Sequence, residues 1–169
     1  MVLIKDGQPV DDAWVHVGSD GEVPAEAPAI VTLPRWQRDN DRLRKRNAPL
    51  GIRLTDEQSP ALIANDLKRF DVVALEFPKF TNGRAYSSAR LLRERYGYKG
   101  EVRAVGNVLR DQFLFMHRCG FDAYEVADEN AAIAWHEALS EISVWYQKAA
   151  DNRDPAMWLR HERRDDTTN

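Results

Sequence analysis

Residues 71–86 read DVVALEFPKFTNGRAY, and the way this stretch is parsed decides the fold. DVVALEF is a short apolar run rich in β-branched residues, the mark of a strand buried on both faces. Pro78 breaks it, and Asn82-Gly83 supplies a turn and a capping side chain. Tyr86, Ala89, Leu92 and Tyr96 then recur at helical spacing until Gly97 stops the run. Strand, turn and helix in this order make a βα unit.

Working outward from it, the unit repeats. On the amino-terminal side, AIVTL is a strand followed by Pro34 in a first helical turn and the polar helix RWQRDNDRLRKRN. LGIRLT is the next strand, and Ser59-Pro60 opens a helix with Ile63, Leu67 and Phe70 on one face. On the carboxy-terminal side, EVRAVG is a strand, Asn107 a cap, and a helix through Leu109, Phe113 and Met116 ends at Gly120. DAYEV is the fifth strand. Asp128 is expected to cap a long helix with Ala131, Trp135, Ala138, Ile142 and Trp145 along one stripe.

Strands alternating with helices require crossover connections, and so an α/β fold with a mainly parallel sheet of about five strands. Five units are too few for a closed eight-fold barrel. The sheet is open, or curved into a partial TIM-barrel-like form. Ahead of it, VLIK and WVHV flank Asp6-Gly7-Gln8-Pro9 and read as a small N-terminal β-hairpin within residues 1–20. Residues 21–28 read as an exposed linker, residues 29–150 as the repeated units of a single domain, and residues 151–169 as a charged tail.

Composition bounds the rest. A chain of 169 residues fits one domain, and 43% hydrophobic with 30% charged residues is ordinary for a soluble globular protein. A net charge of -3 provides no basic field for nucleic acid, and no run is long enough to cross a membrane. The single cysteine, Cys119, excludes an intramolecular disulfide, a cysteine-rich zinc module and an iron–sulfur cluster, and suits a cytoplasmic location. No signal peptide, flavin or nicotinamide motif is read, so no cofactor is expected. No histidine spacing of the H-E-x-x-H kind is present, so no metal site is expected either.

In either sheet form, the loops after parallel strands share one edge, where α/β proteins place their sites. That edge collects Arg53 and Thr55, then Glu76, Lys79, Arg84 and Tyr86, then Gly106, Asn107, Arg110 and Asp111, and finally Glu125. Glu76, Asp111 and Tyr86 are the candidate catalytic groups, as acid, base or hydrogen-bond donor. Arg84, Arg110, Asn107, Lys79 and Arg53 are the candidate anion-binding groups, assisted by free N–H groups at two helix starts. Glu76 has a competing reading as the partner of Arg53, Arg103 or Arg84 in an ion pair that orders the edge. Cys119 reads as a small buried residue, and His117, two positions away, does not face it.

Within residues 70–126, the motifs GRAYSSARLLRERYGYKGE, RAVGNVLRDQ and RCGFDAYE are long runs of unusual neighbours. They resemble the signature block of a bacterial family known as domain of unknown function 934, over about a third of the chain. The resemblance implies a setting beside assimilatory sulfite reductase and other sulfate-assimilation enzymes. It supplies no catalytic residues. The expectation is therefore a cofactor-free accessory protein that binds sulfite reductase or another enzyme of that pathway. The Arg-rich helix at residues 35–46 and the Trp-bearing carboxy-terminal helix are its candidate docking surfaces. The alternative is a small anion-binding or oxidoreductase-type enzyme using the strand edge for an oxyanion. A homodimer joined through the sheet edges is compatible with both.

Overall fold

The computed structural model describes residues 1–79, 82–127, 130, 133–135 and 137. The expected cap at Asp128, the stripe residues Ala131, Ala138, Ile142 and Trp145, and the tail at residues 151–169 lie outside the described residues.

The five sequence-read strands form as Ala29–Thr32 (β4), Leu50–Leu54 (β5), Val72–Phe77 (β6), Glu101–Gly106 (β7) and Ala123–Val126 (β8). Three more join them: Val2–Lys5 (β1), Gln8–Val10 (β2) and Val15–Val17 (β3). The sheet is therefore mixed and eight-stranded, in the order β2-β1-β8-β7-β6-β5-β4-β3, and not a mainly parallel sheet of five. β3 to β8 run parallel, while β1 pairs antiparallel with β8 and with β2.

The hairpin exists, but its second strand is Gln8–Val10 and not WVHV. Asp6 and Gly7 both take positive φ, 49° and 75°, which is the two-residue turn whose twist matches paired strands. That turn is complete by itself and forces Lys5 opposite Gln8. Pro9 sits on the resulting edge strand, where a missing N–H costs no ladder bond. The WVHV run leaves the hairpin and forms β3 at the far edge of the sheet.

This routing fixes the curvature. β2 and β3 are seven strand spacings apart, about 34 Å in a flat sheet. Residues 11–14 join them, and five fully extended Cα steps reach only about 17 Å. The sheet must curl until its edges approach, and it forms a half-barrel. The strap of residues 11–14 crosses the concave side, and Trp14 packs there on Ile30, Val72, Ala74 and Val105.

Period-2 alternation divides the two faces. Leu50, Ile52 and Leu54, or Val73, Leu75 and Phe77, point outward into the main core. They meet Leu33, Trp36 and Leu43 of helix α1 (Leu33–Arg44), and Ile63 and Leu67 of a 3-10 helix at Pro60–Arg69. Ala85 and Ala89 of α2 (Arg84–Arg90), and Phe113 and Met116 of α3 (Phe113–Cys119), complete the layer. Ser59 caps its helix as expected, its Oγ accepting from Ala61 N at 3.2 Å, although that helix is 3-10 and not α. α2 passes into a π-helical turn at Leu91–Arg95 before Gly97. α1 is not a free polar helix: Leu33, Arg35, Trp36 and Leu43 are buried.

The linker is likewise tied down. Arg35 Nη1 donates to Ser19 O at 3.0 Å and Gly21 O at 2.7 Å, Arg38 Nη2 donates to Ser19 O at 2.6 Å, and Arg46 donates to Pro24 O and Ala27 O. The arginines expected to dock a partner are largely spent on carbonyls of a segment that has no ladder of its own. No helix among the described residues is long and apolar enough to cross a membrane.

The strap is a testable keystone. Trp14→Ala removes the large side chain that, among the described residues, packs on the concave apolar patch, and is expected to lower the unfolding free energy by about 2–3 kcal/mol in urea titrations. A variant as stable as the wild type would mean that the strap does not hold the curl.

Candidate functional site

At the carboxy-terminal edge of the parallel strands, Glu76 leaves β6 on the concave face beside Arg53 of β5. Arg53 Nη2 lies 2.8 Å from Glu76 Oε1, and Nε donates to Oε2 at 3.2 Å. This two-point pairing satisfies both oxygens of a carboxylate that is only a quarter exposed. The ion-pair reading of Glu76 is the one the geometry supports, and it engages Arg53 with it.

The other edge residues separate. Lys79, Arg84, Asn107, Arg110 and Asp111 are all exposed. Arg110 pairs with Glu137. Asn82 Oδ1 accepts from Arg84 N at 3.1 Å while its amide donates to Asp56, so the turn is closed by side chains of the protein. Gly83, not Asn82, is the residue at the helix boundary. Asn107 does not cap a helix. Its backbone N donates to Phe77 O at 2.8 Å, and the helical turn begins after Leu109. Gly106 beside it has φ +92°, and a Cβ there would lie 2.7 Å from Phe77 O, which excludes any other residue without distortion.

Tyr86 is half-buried between Phe77, at 5.2 Å between ring centroids, and Phe115, at 4.7 Å. Burial pushes its phenol above the ordinary value, with the neighbouring Cys119 adding to this. It suits a packing role better than proton transfer. Cys119 is buried, and burial pushes its thiol up to about 11, so it is held as an inert thiol.

Between the ends of β7 and β8 and residues Asn130, Ile133, Ala134 and Glu137 lies a cavity of about 520 Å³. Val108, Leu109, Phe113, Val126, Ile133 and Ala134 make it mainly apolar, with Arg110 and Glu137 at its polar side. Leu109, Phe115 and Ile133 are also exposed, by 40%, 56% and 63%. An apolar edge of this kind is a binding feature more than a catalytic one.

The densest charge lies elsewhere, on the concave face. Arg103 of β7 has no exposed surface at all, yet it carries a full charge. Its Nε donates to Glu101 at 2.7 Å, and its Nη1 lies 2.9 Å from Asp12 of the strap and 3.2 Å from Glu125 of β8. Lys5 of β1 closes on Glu101 at 2.9 Å. His16 of β3 reaches Glu125 at 2.8 Å from the opposite edge strand of the parallel set, five strands away in the sheet. Burial raises the Glu125 carboxyl, but the hydrogen bonds and charges of His16 and Arg103 outweigh it and hold the group below its ordinary value. Arg103 keeps its proton because the same carboxylates outweigh the cost of its burial.

Sequence reasoning placed Glu125 on the edge and considered Arg103 only as a partner of Glu76; it missed Asp12, His16, Glu101 and Lys5 as members of one cluster. The signal was available in the alternation of EVRAV, where Glu101 and Arg103 share one face of a strand whose other face is apolar.

A carboxylate held below its ordinary value contributes stability that is present above about pH 4.5 and lost as pH falls through its folded-state value. Glu125→Gln is expected to flatten the acid limb of the stability–pH curve, measured by urea midpoints between about pH 3 and 7. An acid limb identical to the wild type would remove Glu125 from the network.

No curated protein matches the chain. Residues 51–157 match the family described as "Bacterial protein of unknown function (DUF934)", a span that includes most of β5, all of β6 to β8, α2, α3 and the glycine turn at Gly106. With that match covering more than half of its length, the chain belongs to this bacterial family, domain of unknown function 934.

Proposed function

We propose that this chain is an accessory protein of assimilatory sulfite reduction that carries no redox cofactor and acts by binding sulfite reductase or another enzyme of sulfate assimilation. The pathway is what the resemblance of its signature motifs implies. The mode of action rests on one observation: exposed Leu109 and Ile133 line an apolar cavity, with exposed Phe115 of α3 set against Tyr86, while the best acid–base candidate, Glu76, is paired on both oxygens. Aromatic and aliphatic side chains exposed beside a cavity are what a protein interface uses as anchors. The Tyr86–Phe115 edge-to-face contact presets the Phe115 ring, which reduces the ordering cost of docking. The reading puts the protein in the reducing cytoplasm, which suits a chain whose only cysteine is buried.

A second reading, binding of a small oxyanion such as sulfite at the same edge, is favoured by the exposed cations Lys79 and Arg84. Neither makes an ion pair among the described residues. It predicts a rise in melting temperature with sulfite or sulfate that Arg84→Ala removes.

The main reading is tested with purified assimilatory sulfite reductase and this chain at low salt, by light scattering and by reductase turnover. A complex is expected, weakened at least about tenfold by Phe115→Glu, a loss of about 1.4 kcal/mol. Absence of a complex with the reductase and the other enzymes of the pathway would overturn it, and a species of twice the chain mass would identify a second copy as the occupant of the edge.

A further inference from the structure

We propose that Asp12, His16 and Glu125 form a binding site for one divalent transition-metal ion of the zinc class, which clips the strap and β3 to β8 across the concave face. The ligand atoms are His16 Nε2 and one carboxylate oxygen each from Asp12 and Glu125, all within 4.8 Å of one another. A tetrahedral cation bonded at about 2.0–2.2 Å holds its ligand atoms about 3.4 Å apart, so the wider pairs must close by up to about 1.4 Å. Asp12 and His16, with side chains 26% and 32% exposed, lie on the solvent side of the cluster, and the closure requires Asp12 to adjust its contacts with Trp14 N and Arg103 Nη1. One imidazole with two carboxylates suits zinc or another first-row ion better than magnesium, which prefers oxygen ligands and water. The ligands come from the strap, an edge strand and a central strand, which is why no spacing motif announces them.

Two further observations point to a ligand here. The first is charge. Asp12, Glu101 and Glu125 are three carboxylates gathered around two fixed cations, Arg103 and Lys5. With His16 neutral the cluster is one negative charge in excess. In the tautomer whose proton is on Nδ1, the Nε2 lone pair 2.8 Å from Glu125 Oε1 is open to a cation. The second is an orphan donor: Nη2 of Arg103, in a side chain with no exposure, has no hydrogen-bond partner among the described residues. A zinc ion with three protein ligands keeps a fourth position for solvent oxygen, an acceptor for that N–H. Arg103 Nη1, already on both carboxylates, then supports the ligands from behind, as hydrogen-bonded carboxylates in metal sites commonly are.

The experiment uses the full chain stripped with chelator and titrated with Zn²⁺ by calorimetry at neutral pH. Thermal melts run in parallel, and Co²⁺ serves as a visible-absorption probe. Expected are one bound Zn²⁺ per chain, a raised melting temperature, and visible Co²⁺ bands. Asp12→Asn and His16→Asn, at partly exposed positions, are each expected to weaken Zn²⁺ binding at least about tenfold. Binding is also expected to weaken as pH falls, because every ligand in the set holds the ion in its deprotonated form. No heat and no thermal shift in the wild-type chain would overturn the site, as would binding unchanged in both variants, which would assign the ion elsewhere. An equal response to Mg²⁺ would overturn the zinc-class assignment.

Discussion

Everything in this fold depends on a strap of four residues that must join the two edges of an eight-stranded sheet. The connection is only about half as long as a flat sheet would need once strand spacing is counted across all its members. Curvature is therefore a covalent requirement before it is a packing preference. Once the sheet curls, inward-facing side chains from distant strands meet, and His16 touches Glu125 across five strand spacings. Without that curl Arg103 would keep Glu101 and Glu125 of the neighbouring strand but would lose Asp12, and its buried charge would be less fully paired. With it, Asp12 of the strap adds a third carboxylate, so the charged cluster and the strap each make the other tolerable.

Arginine carries a second structural task that explains why the family's motifs look so distinctive. Arg93 donates to Gly120 O at 2.9 Å, Tyr98 O at 2.8 Å and Gly100 O at 2.7 Å, and pairs with Asp122 at 2.7 Å. Asp122 in turn accepts from Val102 N at 2.8 Å, and Tyr98 donates its hydroxyl to Phe70 O at 2.9 Å. Gly100 has no room for a Cβ beneath the Tyr98 ring, and Gly120 turns with φ +103° against Arg93. RERYGYKG and RCGFD are thus two halves of one staple at the amino-terminal ends of β7 and β8, the opposite end from the candidate edge. Forked donors are suited to loop carbonyls that lack a ladder partner. An arginine-rich sequence here signals loops held from within more than a surface waiting for an anion.

How much of this was legible follows from which signals are local. The five central strands and the helices between them rest on period and on breaking residues such as Gly97 and Gly120, and these are properties of short segments. The hairpin was misread because VHV has higher strand propensity than QPV; a two-residue Asp6-Gly7 turn overrides propensity by fixing what lies opposite Lys5. The Glu76–Arg53 pair was legible as an alternative because both residues leave neighbouring strands on one face. The full cluster around Arg103 was not, since Asp12 and His16 join Glu101, Glu125 and Lys5 only through a curl that depends on a misassigned strand. Edge residues such as Arg110 and Arg84 could be placed on the edge by topology, but their partners could not.

The two ends and two faces of the half-barrel consequently have different freedoms. The amino-terminal end is stapled by Arg93, and the convex face is buried under helices. The concave face is crossed by the strap, and its apolar patch is filled by Trp14. What remains open is the carboxy-terminal edge, where Gly106 lets the chain turn against Phe77 O and deliver Val108, Leu109 and Arg110 beside a cavity. A substrate pocket deep in the bore would have to displace Trp14 and break the Asp12–Arg103 contact, at the cost of exposing a fully buried guanidinium. Recognition at the outer edge requires no such rearrangement. The division is between a concave face that stores charge to hold the shape and an apolar edge that is free to meet another molecule.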